Sequence, residues 1–428
     1  MCVTGKLDPI QGAQQSSNKG VKALISLGRN PMRKVLLATT GLTVGTLMAV
    51  TSAIAGPFGN TVDEAKGNSQ VVLDWLDGKL DNYGKNNVTY DGPVIEFRSS
   101  SHIPAVSSLA KLQIQGFDQL EKMSNGKIKV STTWSQTVHG VREGRKAVRT
   151  GLSDQAPCFS LYTARDYNVV GGLGLPFLFN NSHEAVATAE QLYPKYLKKE
   201  FERFRVKLMR EAHTGPYHLY NNKPVRTLEE VKGMKVRAGG GTHAQIIGAL
   251  GATQVSMPGA SAYTAMQRGT IDAIHFNDAA ALIFKLHEVS KYRTANGFNV
   301  LTIEYCMSAD WFDDLPADLQ VVVNNWGRQM AIAEAAGFYD YGGLVNVEKM
   351  KSQGLQIVDM PAAELDKWRK SLAGVETAWV ASAEKKGVAA KALMADIRKG
   401  AAKYAGMTPN EVMLDAINNP VQGVYDMK

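Results

Sequence analysis

The chain has 428 residues, long enough for two domains and a substantial core, with the composition of an ordinary soluble globular protein. Its formal charge is +8, but the excess is local. Residues 1–55 hold six Lys/Arg against one acid, and the remainder carries 42 basic and 39 acidic groups, or +3. That surplus is too mild for a phosphate-binding surface and excludes nucleic acid as a partner.

Arg33-Lys34 precede VLLATTGLTVGTLMAVTSAIA, an apolar run diluted by Thr and Gly that closes on Ala53-Ile54-Ala55, a small-x-small cleavage pattern. Its 21 residues are long enough to span a bilayer, but the Thr/Gly content and the cleavage pattern favour a signal peptide over an anchor. Residues 1–55 are therefore expected to be a signal peptide with an N-terminal extension, Met32 the initiator, and the rest of the chain exported with no membrane span left. Cys2 lies in the removed segment. Cys158 and Cys306 remain, either as a disulfide or as two buried thiols, and only their Cα separation decides.

Residues 56–92 are polar, interrupted by VVLDWLDGKL, whose Val72, Trp75, Leu76 and Leu80 stand at helical spacing; a single apolar stripe favours packing on the main body over a partner-binding segment. A first strand carries Val94 or Ile95 and Phe97. After a turn at His102-Ile103-Pro104, a helix face is read in Val106, Leu109, Phe117, Leu120 and Met123, stopped by Ser124-Asn125-Gly126. Lys127–Val130 alternates as a strand, GVREGRKAVRTG reads as a basic helix, and APCFSLY as another strand. A helix from Ser182 towards Arg205 and a strand from Val206 to Met209 follow, giving a βαβαβ pattern with a parallel sheet. His213-Thr214-Gly215-Pro216 is a breaker, and the crossing to a second lobe is placed there.

Thr227-Leu228-Glu229-Glu230 is a capping box, and MKVRA opens the second lobe's sheet. From there a strand ends in Arg237, Gly239-Gly240-Gly241 turns, and a helix opens at Thr242. A strand ends near Ser256, a helix runs through Tyr263 and Met266, and a strand carries Ile271 to Phe276. Ligands of such parallel sheets sit outside the carboxyl ends of the strands, where Arg237 would point. With glycines and a helix N-terminus beside it, Arg237 suits a carboxylate better than it suits an idle surface position. His275, Phe276 and Asn277 are candidates on the same edge, although alternation turns some of them to the core. Phe298–Ile303 and Tyr305–Ala309 read as strands returning to the first lobe. From Leu315-Pro316 a helical pattern extends to Lys351, with Gly337, Gly342 and Gly343 breaking its smoothness, long enough to lie across both lobes. QIVDMP is a strand, and residues 362–405 are helical on Trp368, Leu372, Val375 and Trp379.

Catalytic motifs are scarce: there is no G-x-S-x-G, H-E-x-x-H, paired C-x-x-C or Walker-type loop. The triple glycine is not G-x-G-x-x-G, and His213 and His218 lack a zinc spacing.

Leu175-Pro176-Phe177-Leu178-Phe179, KPVRTLEEVKGMKVRA, LGATQVSMP, AYTAMQRGTIDA and HEVSKYRT, in this order, resemble the extracytoplasmic solute receptors of tripartite ATP-independent periplasmic (TRAP) transporters, family 7 of the extracellular solute-binding proteins. The resemblance runs from about Val94 to Ala405. It implies an α/β, two-lobed periplasmic binding protein fold with a long helix crossing both lobes. Lobe I would comprise 93–214 and 303–342, lobe II 215–302 and 343–396, and a C-terminal helical tail 397–428. It further implies that Arg237 clamps a small organic acid, that lobe closure presents this ligand to a membrane permease, and that no covalent chemistry occurs. The sequence departs from the family's pattern after Asp272, where Ala273-Ile274-His275-Phe276 replaces the usual acidic position, and Pro216 stands near where a metal-binding glutamine would fall. No bridging metal and no cofactor are therefore expected. Phe276 offers an aromatic wall, while Asn277, His275, Tyr162 (on the first-lobe strand) and His102 supply further hydrogen bonds. Two other classes stand beside this reading: a periplasmic enzyme with His275 or His102 as general base, and a ligand-sensing partner protein on the same fold.

Overall fold

The computed structural model describes Gly59 and residues 61–428, so the signal-peptide expectation lies outside the described residues. In chain order come β1 (Ile95–Ser100), β2 (Ile128–Thr133), β3 (Gln155–Pro157) and β4 (Val206–His213). They are followed by β5 (Tyr217–Asn221), β6 (Lys235–Ala238), β7 (Thr253–Ser256), β8 (Ala273–Asn277) and β9 (Tyr292–Ala295), then β10 (Thr302–Ser308) and β11 (Gln356–Asp359).

These strands form two sheets, one of five strands in the order β2-β1-β3-β10-β4 and one of six in the order β11-β9-β5-β8-β6-β7. Together with their helices they are the two lobes of a mixed α/β fold. Against the βαβαβ expectation, the first sheet is not parallel throughout, and the second mixes parallel with antiparallel pairs. β10 runs antiparallel to both β3 and β4, and β5 antiparallel to both β8 and β9. The reason is connectivity: β5 and β10 are the strands by which the chain enters one lobe directly from the other, with no crossover helix to reverse direction.

Local signals explain most helices. Ser107 caps the helix Ser108–Met123 by accepting the Ala110 N–H at 3.2 Å, and Asn125 and Gly126, at φ 52° and 75°, end it. Val106, placed on that helix's apolar face by its spacing, precedes the cap and is 84% exposed. The capping box at Thr227–Glu230 forms, with Thr227 N–H on Glu230 at 3.1 Å, but it opens only a 3-10 turn, Glu229–Val231.

The long helix runs as Ala317–Ile332, a π-helical stretch Ala333–Tyr341, and Gly342–Ser352. Its glycines relax the winding rather than end it. At Gly337 a Cβ would meet Leu76, Leu112 and Val72 at 3.2–3.5 Å, so the small residue lets the N-terminal segment dock. That segment, helices Val62–Asn68 and Gln70–Leu76, buries Val72, Trp75 and Leu76 and ties Trp75 Nε1 to Gln329 Oε1 at 2.7 Å. Near the C-terminus, helix Ala390–Tyr404 packs on Ser182–Leu192; the expected start of a tail at 397 falls within it.

Cys158 and Cys306 form a disulfide with their Cα atoms 5.8 Å apart. The β3–β10 pairing sets Cys306 opposite Ala156, and Cys158 N–H bonds Glu304 O at 2.9 Å, which brings the two cysteines side by side. Among the described residues no helix is long and apolar enough to cross a membrane.

Candidate functional site: a buried arginine between two lobes

β6 lies inside the second sheet, between β7 and β8, and delivers Arg237 to its carboxyl end. The side chain is 0% exposed. Its Nε and Nη2 donate to Met257 O at 3.1 and 2.9 Å, Nη1 donates to His275 O at 3.4 Å, and the guanidinium lies 4.7 Å from the Phe276 ring centre. These partners fix its orientation and leave its charge uncompensated.

The other buried arginines differ. Arg210 pairs with Glu334 at 2.7 Å, Arg293 with Asp278 at 2.5 Å and Arg328 with Glu190 at 2.8 Å. Among the described residues Arg237 is the one buried arginine without a carboxylate partner. A buried ionised group is costly unless an opposite charge meets it, and here the protein supplies none.

The triple glycine has a second role beyond its turn. A Cβ on Gly239 would lie 2.0 Å from Leu161 Cδ1, one on Gly240 2.9 Å from Leu161 O, and one on Gly241 2.6 Å from Ala164 Cβ. Bare backbone is what lets the first lobe close on this edge. Two interlobe hydrogen bonds accompany the contact: Gly259 N–H donates to Tyr162 Oη at 3.2 Å, and Thr242 Oγ1 donates to Gly171 O at 3.0 Å. The seam beside the glycines is a crevice lined by Ser160, Leu161, Thr242, His243, Trp379 and Lys386; Arg237 is not among its lining residues.

The structure brings Arg237, Phe276 and Tyr162 into one neighbourhood. Tyr162 does not sit on a strand: β3 ends at Pro157, and Tyr162 closes the 3-10 turn Ser160–Tyr162. Glu304 holds that turn, accepting from Ser160 N–H at 2.6 Å and Ser160 Oγ at 2.7 Å.

His275 and Asn277 have other engagements. Asn277 Oδ1 accepts Ala280 N–H at 3.0 Å and caps the helix Asp278–Ile283. His275 is stacked on Phe298 at 5.1 Å and meets His243 Nε2 through its Nδ1 at 2.9 Å. Because Gly239 N–H donates to His243 Nδ1 at 3.0 Å, His243 carries its proton on Nε2 and donates it to His275, which then bears Nε2–H. That last N–H is buried without a partner. Burial, mutual proximity and Arg237 hold His243 well below the usual imidazole range; burial, His218 and Arg237 do the same for His275. His102 follows β1 as expected, edge-on to Phe159 at 5.1 Å, its Nδ1 buried without a partner. Burial, then His139, lowers it to about 4. Neither histidine is tuned near neutrality as a general base would be. Among the described residues no group of three or more His, Cys, Asp or Glu is arranged to hold a metal.

Sequence reasoning missed Tyr217. It opens β5, pairs with Asn277 in register, and packs on His243 at 5.0 Å, His275 at 5.3 Å and Phe276 at 5.9 Å. Its hydroxyl is pushed up to about 12 by burial, against the pull of Arg237 and with a further push from Tyr162, so all three groups share one interior. The breaker Gly215-Pro216 immediately before it was the available signal.

Two lobes spanned by one helix, with a buried arginine that lacks a carboxylate partner at the end of β6, have the architecture of the periplasmic binding proteins. Residues 101–382 match the model of the bacterial extracellular solute-binding proteins, family 7, and the chain belongs to that family. A solute-binding protein of Verminephrobacter eiseniae is 25% identical over 243 residues, 56% of this chain and 72% of the relative. One of Albidiferax ferrireducens is 32% identical over 162 residues, 37% of this chain, and the match spans 46% of that relative's length. Among solved structures, a TRAP solute-binding protein of Rhodoferax ferrireducens in complex with copurified benzoate superposes with TM-score 0.68 at 21% identity, covering 72% of this chain and 98% of that one. A TRAP periplasmic solute-binding protein of Bordetella bronchiseptica with bound mandelate gives TM-score 0.67 at 24% identity, covering 72% and 99%. At these identities the two structures carry the fold, and the family match carries the role: the chain is an extracellular solute-binding protein.

Proposed function

We propose that this receptor takes a small organic acid into the cleft between its lobes, with the ligand carboxylate on Arg237, and delivers it to a membrane permease from the periplasmic side. The observation that carries this reading is the uncompensated charge of Arg237 in a set of four buried arginines. A charge-assisted hydrogen bond to such a group contributes about 1.5–3 kcal/mol, and the planar guanidinium favours a bidentate acceptor. Phe276 packs on the ligand body, with Tyr162 and Tyr217 beside it; His102, His275 and Asn277 stand in a second rank.

The lobes we assign to 93–214 with 303–342 and to 215–302 with 343–396 move about the segments that join β4 to β5 and β9 to β10. A ligand that touches both lobes selects the closed arrangement. Titration calorimetry with a panel of organic acids tests the proposal. Binding of at least one acid, abolished by Arg237→Ala in a protein that still melts cooperatively, is expected. Undiminished binding by that variant would overturn the carboxylate clamp.

A further inference from the structure

Aromatic rings come as two sets, one from each lobe, and the second includes the ring under Arg237. In the first lobe Phe159 is met by His102 at 5.1 Å, Tyr305 at 5.6 Å and Tyr162 at 6.1 Å. In the second, Phe276 is met by Phe284 at 5.7 Å and Tyr217 at 5.9 Å. The sets join at Gly259, whose N–H reaches Tyr162 Oη at 3.2 Å. A Cβ on that glycine would lie 2.8 Å from Phe276 Cζ and 3.1 Å from Phe284 Cε2, so its bareness is what lets the two sets approach.

The charge of this lining is as specific as its shape. Among the described residues, two arginines lie over these rings, Arg237 over Phe276 at 4.7 Å and Arg210 over Tyr305 at 3.6 Å. Arg210 is already neutralised by Glu334 at 2.7 Å. His102 is lowered to about 4 and His275 well below its usual range, so neither adds a positive charge near neutral pH. One positive charge remains for a ligand, and a second ligand carboxylate would be buried without a partner. Few polar groups are left for a ligand: Tyr162 Oη accepts from Gly259, Asn277 Oδ1 caps its helix at 3.0 Å, and His275 Nε2 and His102 Nδ1 are the unpartnered ring nitrogens. A polyhydroxylated acid would leave several hydroxyls unpaired in such a lining.

We infer that the cleft is selective for a planar aromatic monocarboxylate, its single carboxylate on Arg237 and its ring held between the Phe159–Tyr162 set and the Phe276–Tyr217 set. This deepens, and rests on, the reading of Arg237 as a carboxylate clamp. Aromatic groups prefer edge-to-face and offset contacts with one another, which a flat ring can make with both walls and a puckered ring cannot.

The test is calorimetry on the mature protein with four acids: benzoate, cyclohexanecarboxylate (equal charge, no aromatic ring), succinate (two carboxylates) and gluconate (polyhydroxylated). Benzoate is expected to bind at least about tenfold tighter than cyclohexanecarboxylate, with succinate and gluconate weaker still. Phe276→Leu, checked for cooperative melting, is expected to shrink the gap between benzoate and cyclohexanecarboxylate. Equal affinity for the two ring acids, or tighter binding of succinate or gluconate, overturns the aromatic inference and leaves the carboxylate clamp standing. Benzoate binding that survives Arg237→Ala, or no binding by any of the four acids, overturns the clamp and the inference together. The wild-type ranking decides the matter even if Phe276→Leu fails to fold.

Discussion

Tyr162 of the first lobe accepts a hydrogen bond from the backbone N–H of Gly259 in the second at 3.2 Å, and Gly259 itself abuts Phe276, the ring under Arg237. One phenol thus links the first lobe to the ring beside Arg237. Tyr162→Phe keeps the ring and removes the bond, at a cost of about 1 kcal/mol. Affinity for the best organic acid should fall roughly fivefold, mostly through faster dissociation, with the melting temperature of the ligand-free protein little changed. Stopped-flow binding would show whether the loss lies in the off-rate; an unchanged off-rate would remove Tyr162 from the latch.

Gly239→Ala attacks the same closure sterically. The new methyl would need the space of Leu161 Cδ1, 2.0 Å away, so Leu161 must swing out or the lobes stay apart. Weaker ligand binding together with a larger radius of gyration by solution scattering is expected. A variant that binds and scatters like the wild type would show that Leu161 yields freely.

Arg237 makes an unusual stability prediction. Since it is buried without a counter-charge, Arg237→Met should raise the melting temperature of the ligand-free protein, by about 2 °C or more, while abolishing the stabilisation that a bound acid gives. Differential scanning calorimetry with and without ligand reads both effects. A lower melting point for the variant would mean that the carbonyls of Met257 and His275 already offset the cost of burial.

The first lobe also carries buried acids. Glu211 and Glu304 face each other across β4 and β10, and both carboxylate oxygens of Glu211 lack a partner. Burial, reinforced by Glu304, Glu190 and Glu200, holds the Glu211 carboxyl well above the usual range, and burial raises Glu190 and Glu304 to about 7. In the unfolded chain such groups titrate near ~4.3. The folded state therefore binds the extra protons. Its stabilisation by these groups is complete below the unfolded value and is lost as pH rises through the folded values. Glu211→Gln cannot ionise, so its melting temperature should gain on the wild type as pH goes from about 5 to about 8, with little difference at the acid end. A difference that stays constant with pH would mean Glu211 does not titrate in this window.

The Cys158–Cys306 bridge closes a loop across 148 residues of sequence. Reduction, or the double substitution to Ala, should cost roughly 2–5 kcal/mol, seen as a lower midpoint in urea. Because Cys158 stands two residues before the Ser160–Tyr162 turn, ligand affinity should fall as well. An unchanged midpoint would mean that strand pairing alone holds this edge.

Much of this was readable in the chain. Arg237 at a strand end, the glycine turn, the helix after it and the long helix from Pro316 follow from local chemistry and periodicity, and so does the docking of Trp75. What was not legible depends on strand direction and on which neighbour a side chain finds. β5 reads Tyr-His-Leu-Tyr-Asn and is buried throughout, so no alternation reveals that Tyr217 packs on Phe276 and His275. Asn277 looks like a ligand group in sequence, yet it follows a strand and precedes a helix, and the unpaired N–H of Ala280 claims it. His275 is turned to its histidine neighbour by a bond from a residue 32 positions away, which spacing cannot show. The first lobe's sheet was read as parallel because β1 and β2 are, while β10 arrives only after the whole second lobe.

That late arrival governs how the molecule is made. β10 is an inner strand of the first sheet, and β11, which completes the second, follows it by some fifty residues of helix. The first sheet cannot be finished before Ser308 has emerged, nor the second before Asp359, and the pairing of Cys158 must wait for the same segment that β3 and β4 await. Order of synthesis and order of assembly are thus decoupled, and the strands made first wait unpaired for partners made much later.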